Sequence, residues 1–514
     1  MSDQLRLADL LSGLSIVADL GYGLPTETAL RSCLIGTALA RRMDLPEREV
    51  ADVFYVSLLF HVGCVAYAQE TFDLFGDDHA VRRAAMETDF TDARDIFATL
   101  IPRATSGLPP AARVRAAVRM VMTGRTFGKA HDQASCDVAR SVARRIGLPD
   151  SISLSLYDIH ESWNGAGARR LRAEQIARPA RIARVATETS ELLSLGARDV
   201  MNALRRRAGK TLDPAVVEHF ASNRTAIVTG ATSGDPCKQV LDAEPSPVAQ
   251  MDEEGLPRIA RAFGELADLK TRFTHGHSAA VTRLSVAAAG RLGLDRRTSR
   301  CVEVAGYLHD IGRIGISNRI WAKPGPLTTG EWEHVHLHPY HSERVLASAS
   351  PLRPMARIAG MHHERIDGSG YHRGCRGRDI EIGARVLACT DAFQAMTERR
   401  PYRPALKPEL ARDELLGEAR AGRLDSEVVA AVLDASHLAP ARRQDVRPAG
   451  LSDREVEVLR LVAEGCSNPE IGGRLEISRR TAEHHVQHIY DKIGVSTRAA
   501  AVLFALEHDL LKGR

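Results

Sequence analysis

From the N-terminus to about residue 222, Leu, Ala and Val recur at three- and four-residue spacings, Arg and Glu take the other faces, and strand-like alternation is scarce. That rhythm predicts helices packed on helices. The most apolar run, Val53 to Ala68, is broken by Ser57, His61 and Gly63 and falls short of the roughly 20 residues a membrane span requires, so it reads as a buried helix. Between Thr229 and Gly255 the rhythm stops: GATSGDP, AEPSP and MDEEG are turn-forming text without a period, the mark of a linker. Leu256 to Leu269 resumes an amphipathic helix. A last region starts at Leu451, where Val456, Leu459, Val462, Ile471, Leu475, Val486, Ile489 and Ile493 keep helical spacing and predict four short helices around one small core. Ser452 with Glu455 three residues on forms a capping box before the first of them. Gly465 ends that helix, Ser467 begins the second and Ser478 caps the third. The pattern predicts an all-α chain divided into residues 1–222, a linker 223–257, residues 258–438, a short Pro/Arg-rich tether 439–449, and residues 450–514.

The first region repeats in the third quarter of the chain. With Gly63 set on Gly312, a shift of 249, ALARRMDLPEREVADVFYVSLLFHVG falls without gaps on AAAGRLGLDRRTSRCVEVAGYLHDIG. DIHESWNGAG matches MHHERIDGSG at a shift of 203, pairing His160 with His363, so about 46 residues are inserted between the two anchors. ARIARVAT against ARVLACTD makes a third anchor.

Composition narrows the partners. A net charge of +4 on 514 residues is small, so contact with nucleic acid must be local. The eight cysteines, Cys33, Cys64, Cys136, Cys237, Cys301, Cys375, Cys389 and Cys466, form no CxxC pair, which points to reduced thiols in the cytosol. The opening MSDQLRLADLL lacks the basic and apolar segments of a signal peptide. A cytoplasmic protein without a membrane partner is expected.

The chemistry lies between Phe273 and Arg403, where His277, His309, Asp310, His338, His362, His363 and Asp391 stand in strongly apolar helical text. Imidazoles mixed with carboxylates suit a transition metal such as Fe, Mn, Zn or Ni. An adjacent His-Asp lets the two carboxylate oxygens bridge two ions, the arrangement of a two-metal site for phosphoester hydrolysis. His309 and Asp310 follow the apolar run Val302 to Leu308 and are expected in mid-helix, where an unpaired carboxylate would be costly. In the repeat the ligand positions hold Thr28, Phe60, His61, Ile159, His160 and Thr187, while the counterpart of His338 falls in the inserted residues. Phe, Ile and two Thr cannot rebuild a dinuclear set. The His131-Asp132 pair lacks the Ile-Gly turn that follows His309-Asp310.

GYLHDIGRIGI, HPYHSERVL, MHHERIDGSGYHRG and ARVLACTDAFQAMTERRPYR together resemble the HD-GYP family, the cyclic di-GMP phosphodiesterase branch of the HD metal-dependent phosphohydrolases, over roughly residues 258 to 436. The resemblance implies two divalent metals, one held by His277, His309 and Asp391, the other by His338, His362 and His363, with Asp310 bridging. It assigns phosphate contacts to Arg400 and Arg403 and base stacking to Tyr371, with linear pGpG and GMP as products. The chain departs from the family at four places. Arg313 stands for a lysine, and Arg holds phosphate bidentately but is a poor proton donor. His372 replaces the proline of the tripeptide, Phe273 stands where some members hold a third metal with Glu, and Gln394 replaces an acid. The first region then resembles a degenerate HD domain with a sensory or structural role.

The last region resembles the LuxR-type helix-turn-helix along its length. This implies that the third helix enters the major groove of double-stranded DNA. Glu483, His484 and Gln487 would face bases, with Arg479, Arg480, Thr481, Lys492 and Arg498 on phosphates. A homodimer is the expected form for such a reader. Three functions follow: a cyclic di-GMP phosphodiesterase coupled to transcriptional regulation, a transcription factor whose metal domain only senses a nucleotide or metal, or a phosphohydrolase for another nucleotide.

Overall fold

The computed structural model describes residues 5–90, 92–197, 199–252, 254–438 and 448–511. The described residues are mostly helical, as the all-α expectation requires, and the chain splits into two compact units: Met1–Gly255 with Ser348–Pro351, and Leu256–Ala347 with Leu352–Arg514. Most of the predicted tether 439–449 lies outside the described residues.

In the first unit the helices Thr28–Arg42, Glu47–Leu58 and Arg178–Ser194 bury their apolar stripes against one another. The run Val53 to Ala68 is buried as expected, but it is not one helix: the α-helix stops at Leu58, a 3-10 turn covers Val62–Tyr67, and a new helix starts at Ala68. The reason is close approach, since a Cβ on Gly63 would overlap the Ser135 carbonyl. The linker expected over 223–257 is largely helical, because one helix runs to Thr232 and another spans Pro236–Ala243. Asp235 accepts from the N–H groups of Cys237 and Lys238, and Pro236 sits in the first turn, so the turn-forming residues here start a helix. Leu5–Arg6 pairs antiparallel with Gln250–Met251, a two-residue exception to the helical pattern.

Among the described residues, the second unit has one apolar core under the ligand-bearing helices and another among its last helices. Leu284, Val302, Val386, Phe393, Leu415 and Val432 belong to the core under the ligand-bearing helices. Val456, Leu459, Ile471, Val486, Ile489 and Ala505 lie buried among the four C-terminal helices, Asp453–Ala463, Asn468–Leu475, Arg479–Ile493 and Arg498–Glu507. Capping boxes at Ser452/Glu455 and Ser467/Glu470, and the Ser478 cap, start helices where the sequence predicts. Each such cap is worth about 1 kcal/mol.

The repeat carries down to single hydrogen bonds. Buried Asp19 accepts from Ala29 N–H, as buried Asp268 does from Ser278 N–H. Glu161 takes the N–H groups of Arg169 and Leu171, and Glu364 takes those of Arg373 and Cys375, so each carboxylate braces a glycine-containing loop. A Cβ on Gly312 would overlap the His338 carbonyl and crowd Ser342 N, as one on Gly63 would overlap Ser135 and crowd Ala139 N. Ser135 is therefore the counterpart of His338, a position the sequence alignment leaves open.

Candidate metal centre

All seven predicted ligands converge. His309 and Asp310 are not in mid-helix, because the helix Arg296–Leu308 ends just before them and a 3-10 turn, Ile311–Gly315, follows. Tightening there lets Gly312 pass the backbone of His338. His277 opens the helix His277–Arg291, His338 opens His338–Ser348, and His362 and His363 follow the end of Arg353–Gly360. Asp391 projects from Ile382–Thr397. Helix ends deliver nearly every ligand, and all except the half-buried His363 are buried.

The groups sort around Asp310. Its Oδ2 faces His309 Nε2 at 3.3 Å and His277 Nε2 at 3.6 Å, while its Oδ1 faces His338 Nε2 at 3.4 Å and His362 Nε2 at 3.6 Å. Three sets of donor atoms lie close enough to share an ion: His277, His309 and Asp391; His309, Asp310 and His362; and His338, His362 and His363. Neither oxygen of Asp310 nor Nε2 of His309 has an aligned hydrogen-bond partner, although Arg313 Nη1 forms an ion pair with Oδ2 at 2.9 Å. Buried polar atoms without partners are costly, and a cation bound there would satisfy them. The donor set therefore fits metal.

Backbone carbonyls fix three of the imidazoles. Nδ1 of His309, His338 and His362 meets the carbonyl three residues earlier, at Gly306 (2.8 Å), Val335 (2.6 Å) and Ala359 (2.5 Å). For His338 and His362 this puts the proton on Nδ1 and leaves Nε2 bare toward Asp310, whereas at His309 burial is outweighed by Asp310, which raises it above its ordinary value. Burial holds His338 down to about 4 and lowers His362 and His363, so these three are neutral and ready to ligate. His277 differs. Burial pushes it down, but Glu398 and Asp391 outweigh burial and carry it up to about 10. Its Nδ1 lies 2.9 Å from Glu398 Oε2 and its Nε2 lies 3.0 Å from Asp391 Oδ1. Burial also works against the charge on Asp310, yet Arg313 and His309 hold its carboxyl well below the usual range. Glu398 was not foreseen from the sequence, although it stands two helical turns beyond Asp391 and hence on the same face.

The predicted phosphate and base contacts are less free. Arg313 lies 4.7 Å from the Trp321 ring besides pairing with Asp310. Arg400 pairs with Glu398 (3.1 Å) and donates to Phe273 O (3.3 Å). Arg403 spends its guanidinium on the carbonyls of Ala395, Met396 and Pro404. Tyr371 is stacked on both faces, by His363 at 4.7 Å and His336 at 4.1 Å between centroids. A base can stack on it only after His336 moves. His372 stands beside Glu343, 3.7 Å away, and is in none of the ligand sets.

In the third C-terminal helix, Glu483, His484 and Gln487 are exposed on one face, with Arg479, Arg480 and Thr481 exposed at its N-terminal end. Lys492 pairs with Glu455 at 2.8 Å. Arg498 turns inward onto the carbonyls of Val462 and Cys466, an anchoring contact within its own domain.

In the first unit the ligand positions hold Thr28, Phe60, His61, Ser135, Ile159, His160 and Thr187. The buried Phe60 ring lies edge-on to His61 (5.1 Å) and His160 (5.4 Å). His61 Nε2 is taken by Glu191, and Asp132 by His131. Among the described residues, this unit brings together no metal-ligand set.

The HD domain family matches residues 261–428, and the luxR family of bacterial regulatory proteins matches residues 449–505. A 3'3'-cGAMP-specific phosphodiesterase 3 of Vibrio cholerae is 29% identical over 441 residues, covering 84% of this chain and 95% of that one. A cyclic di-GMP phosphodiesterase of Thermotoga maritima is 40% identical over 184 residues, 35% of this chain and 50% of the relative. The crystal structure of a cyclic GMP-AMP specific phosphodiesterase of V. cholerae matches with a TM-score of 0.59 at 25% identity, over 85% of this chain and 99% of that one.

Proposed function

We propose that this chain, an HD-type metal-dependent phosphohydrolase joined to a luxR-family DNA-binding domain, opens the ring of cyclic di-GMP with one water to linear pGpG, hydrolyses pGpG with a second water to GMP, and couples that hydrolysis to sequence-specific binding of double-stranded DNA. The observation that carries the reading is the division of labour at Asp310, whose two oxygens face two separate groups of imidazoles. Two divalent transition ions bound there would supply Lewis acidity to the phosphoryl oxygens and activate a water for in-line attack. Asp310 spans the two groups, with His277, His309 and Asp391 on one side and His338, His362 and His363 on the other. Glu398 orients His277, a carboxylate behind an imidazole ligand. Arg313 keeps N–H groups for a phosphate but holds its proton, so it neutralises charge and does not protonate the leaving oxygen. Arg400 and Tyr371 serve the substrate once Glu398 and His336 release them. The DNA reader works as a homodimer in the cytoplasm, with Glu483, His484 and Gln487 toward bases and Arg479 and Arg480 toward phosphates.

A second substrate, 3'3'-cGAMP, is favoured by the relative that matches through both halves of the chain. A purely sensory metal domain is favoured by the departures at Arg313, His372 and Gln394. Turnover of both dinucleotides, beside an Asp310→Ala protein, separates the three readings. Hydrolysis lost in the variant supports the enzyme, the preferred dinucleotide names the substrate, and tight binding without turnover supports the sensor.

A further inference from the structure

The DNA reader sits on the loop that presents the first metal ligand. Residues 269–276 connect the helix Gly255–Asp268 to His277. Two donors of the metal domain reach the C-terminal carbonyls of reader helices: His275 Nδ1 meets Ala463 O at 2.5 Å, and Arg261 Nη2 meets Leu506 O at 2.8 Å. Carbonyls at helix C-termini are open to outside donors, which also suit the helix dipole, although Leu506 O accepts from Asp509 N–H as well. Side chains also press on glycine backbone across the seat. A Cβ on Gly465, in the turn after the first reader helix, would lie 2.9 Å from Arg272 Cδ, and one on Gly276 would lie 3.3 Å from Leu506. At the edge, Arg283 approaches Asp509 at 3.8 Å.

The other side of the same loop belongs to the metal centre. Phe273 O accepts from Arg400, Asp268 holds the N–H and hydroxyl of Ser278, and His277 follows Gly276 directly. The seat uses none of the exposed positions Glu483, His484 and Gln487.

We propose that this seat links the two activities: the seated reader holds loop 269–276 in the form that presents His277 to metal, and metal binding in turn tightens the seat. The proposal rests on the metal-centre reading above and adds its regulation. A domain that pre-orders a ligand loop lowers the entropy a metal must remove on binding, and linkage makes the effect equal in both directions.

The test is Mn2+ affinity of the full chain, measured by electron paramagnetic resonance, with hydrogen exchange of residues 461–466 and 504–511 followed in parallel. In Arg261→Gln and Arg283→Glu the seat segments exchange faster and Mn2+ binds roughly 5-fold or more weakly. The swap Arg283→Glu with Asp509→Arg restores both, which separates the seat from a folding defect. In the wild type, Mn2+ slows exchange in the seat. Faster exchange with unchanged Mn2+ affinity overturns the linkage alone, and unchanged exchange in both single variants overturns the seat. A wild-type chain that binds no Mn2+ removes the metal-centre reading and the linkage together.

Discussion

The two repeats share their frame and differ in what they place inside it. Asp19 and Asp268 tie the same helix start, Glu161 and Glu364 brace the same loop, and Gly63 and Gly312 permit the same backbone crossing. At the centre of that frame one half puts His309 and the other a buried phenyl ring at Phe60. The ring lies between His61 and His160, and among the described residues neither imidazole belongs to a metal-ligand set. Scaffold and chemistry are thus separable. The frame rests on caps and braces present in both repeats, while the metal-ligand sets depend on a few side chains, most of them at helix ends.

Breaking the comparison at its centre should have the largest effect. Asp310→Ala should lower cyclic dinucleotide turnover by at least about a thousandfold, whereas His61→Ala at the matching position should leave turnover within about twofold, both read by product chromatography. Glu398→Gln comes next. It keeps the shape but removes the charge behind His277, and metal affinity should fall roughly 10- to 100-fold in a chelator competition. The braces should fail alike in the two halves: Glu161→Gln and Glu364→Gln should each cost about 1–3 kcal/mol in denaturant unfolding, because buried N–H groups lose an ionised acceptor. A much larger cost in one half would mean that the frames are not equivalent.

The last prediction concerns pH. Burial, moderated by His61, raises the Asp19 carboxyl to about 7 from its ordinary 3.8. The folded state therefore holds a proton that the unfolded state has released, so stability falls as pH rises from about 4 to 7. The slope approaches about 1.4 kcal/mol per pH unit where the two states differ by a whole proton. Asp19→Asn should flatten that slope in unfolding curves taken across the window.

Much of this was legible in the sequence. The seven ligands, the repeat and the capped C-terminal helices follow from residue type and spacing. Three features depended on backbone geometry that spacing does not carry. His309 and Asp310 sit beyond a helix end because Gly312 must clear His338, and the Nδ1 contacts to carbonyls three residues back exist only at such ends. Arg403 and Arg498 look like free cations in the sequence but are consumed by carbonyls brought near in folding. The apparent linker hides a helix because an Asp-Pro pair can start one as readily as turn a chain. Glu398 was within reach, since its spacing from Asp391 already put it on the ligand face.

The most direct test of the bridged centre is cyclic di-GMP hydrolysis by the anaerobically purified chain, with metal content counted on the same sample and Asp310→Ala beside it. The account predicts about two metals per chain and a linear dinucleotide that disappears in the variant. Hydrolysis that survives in Asp310→Ala would contradict it, and so would metal bound in the wild type without any turnover.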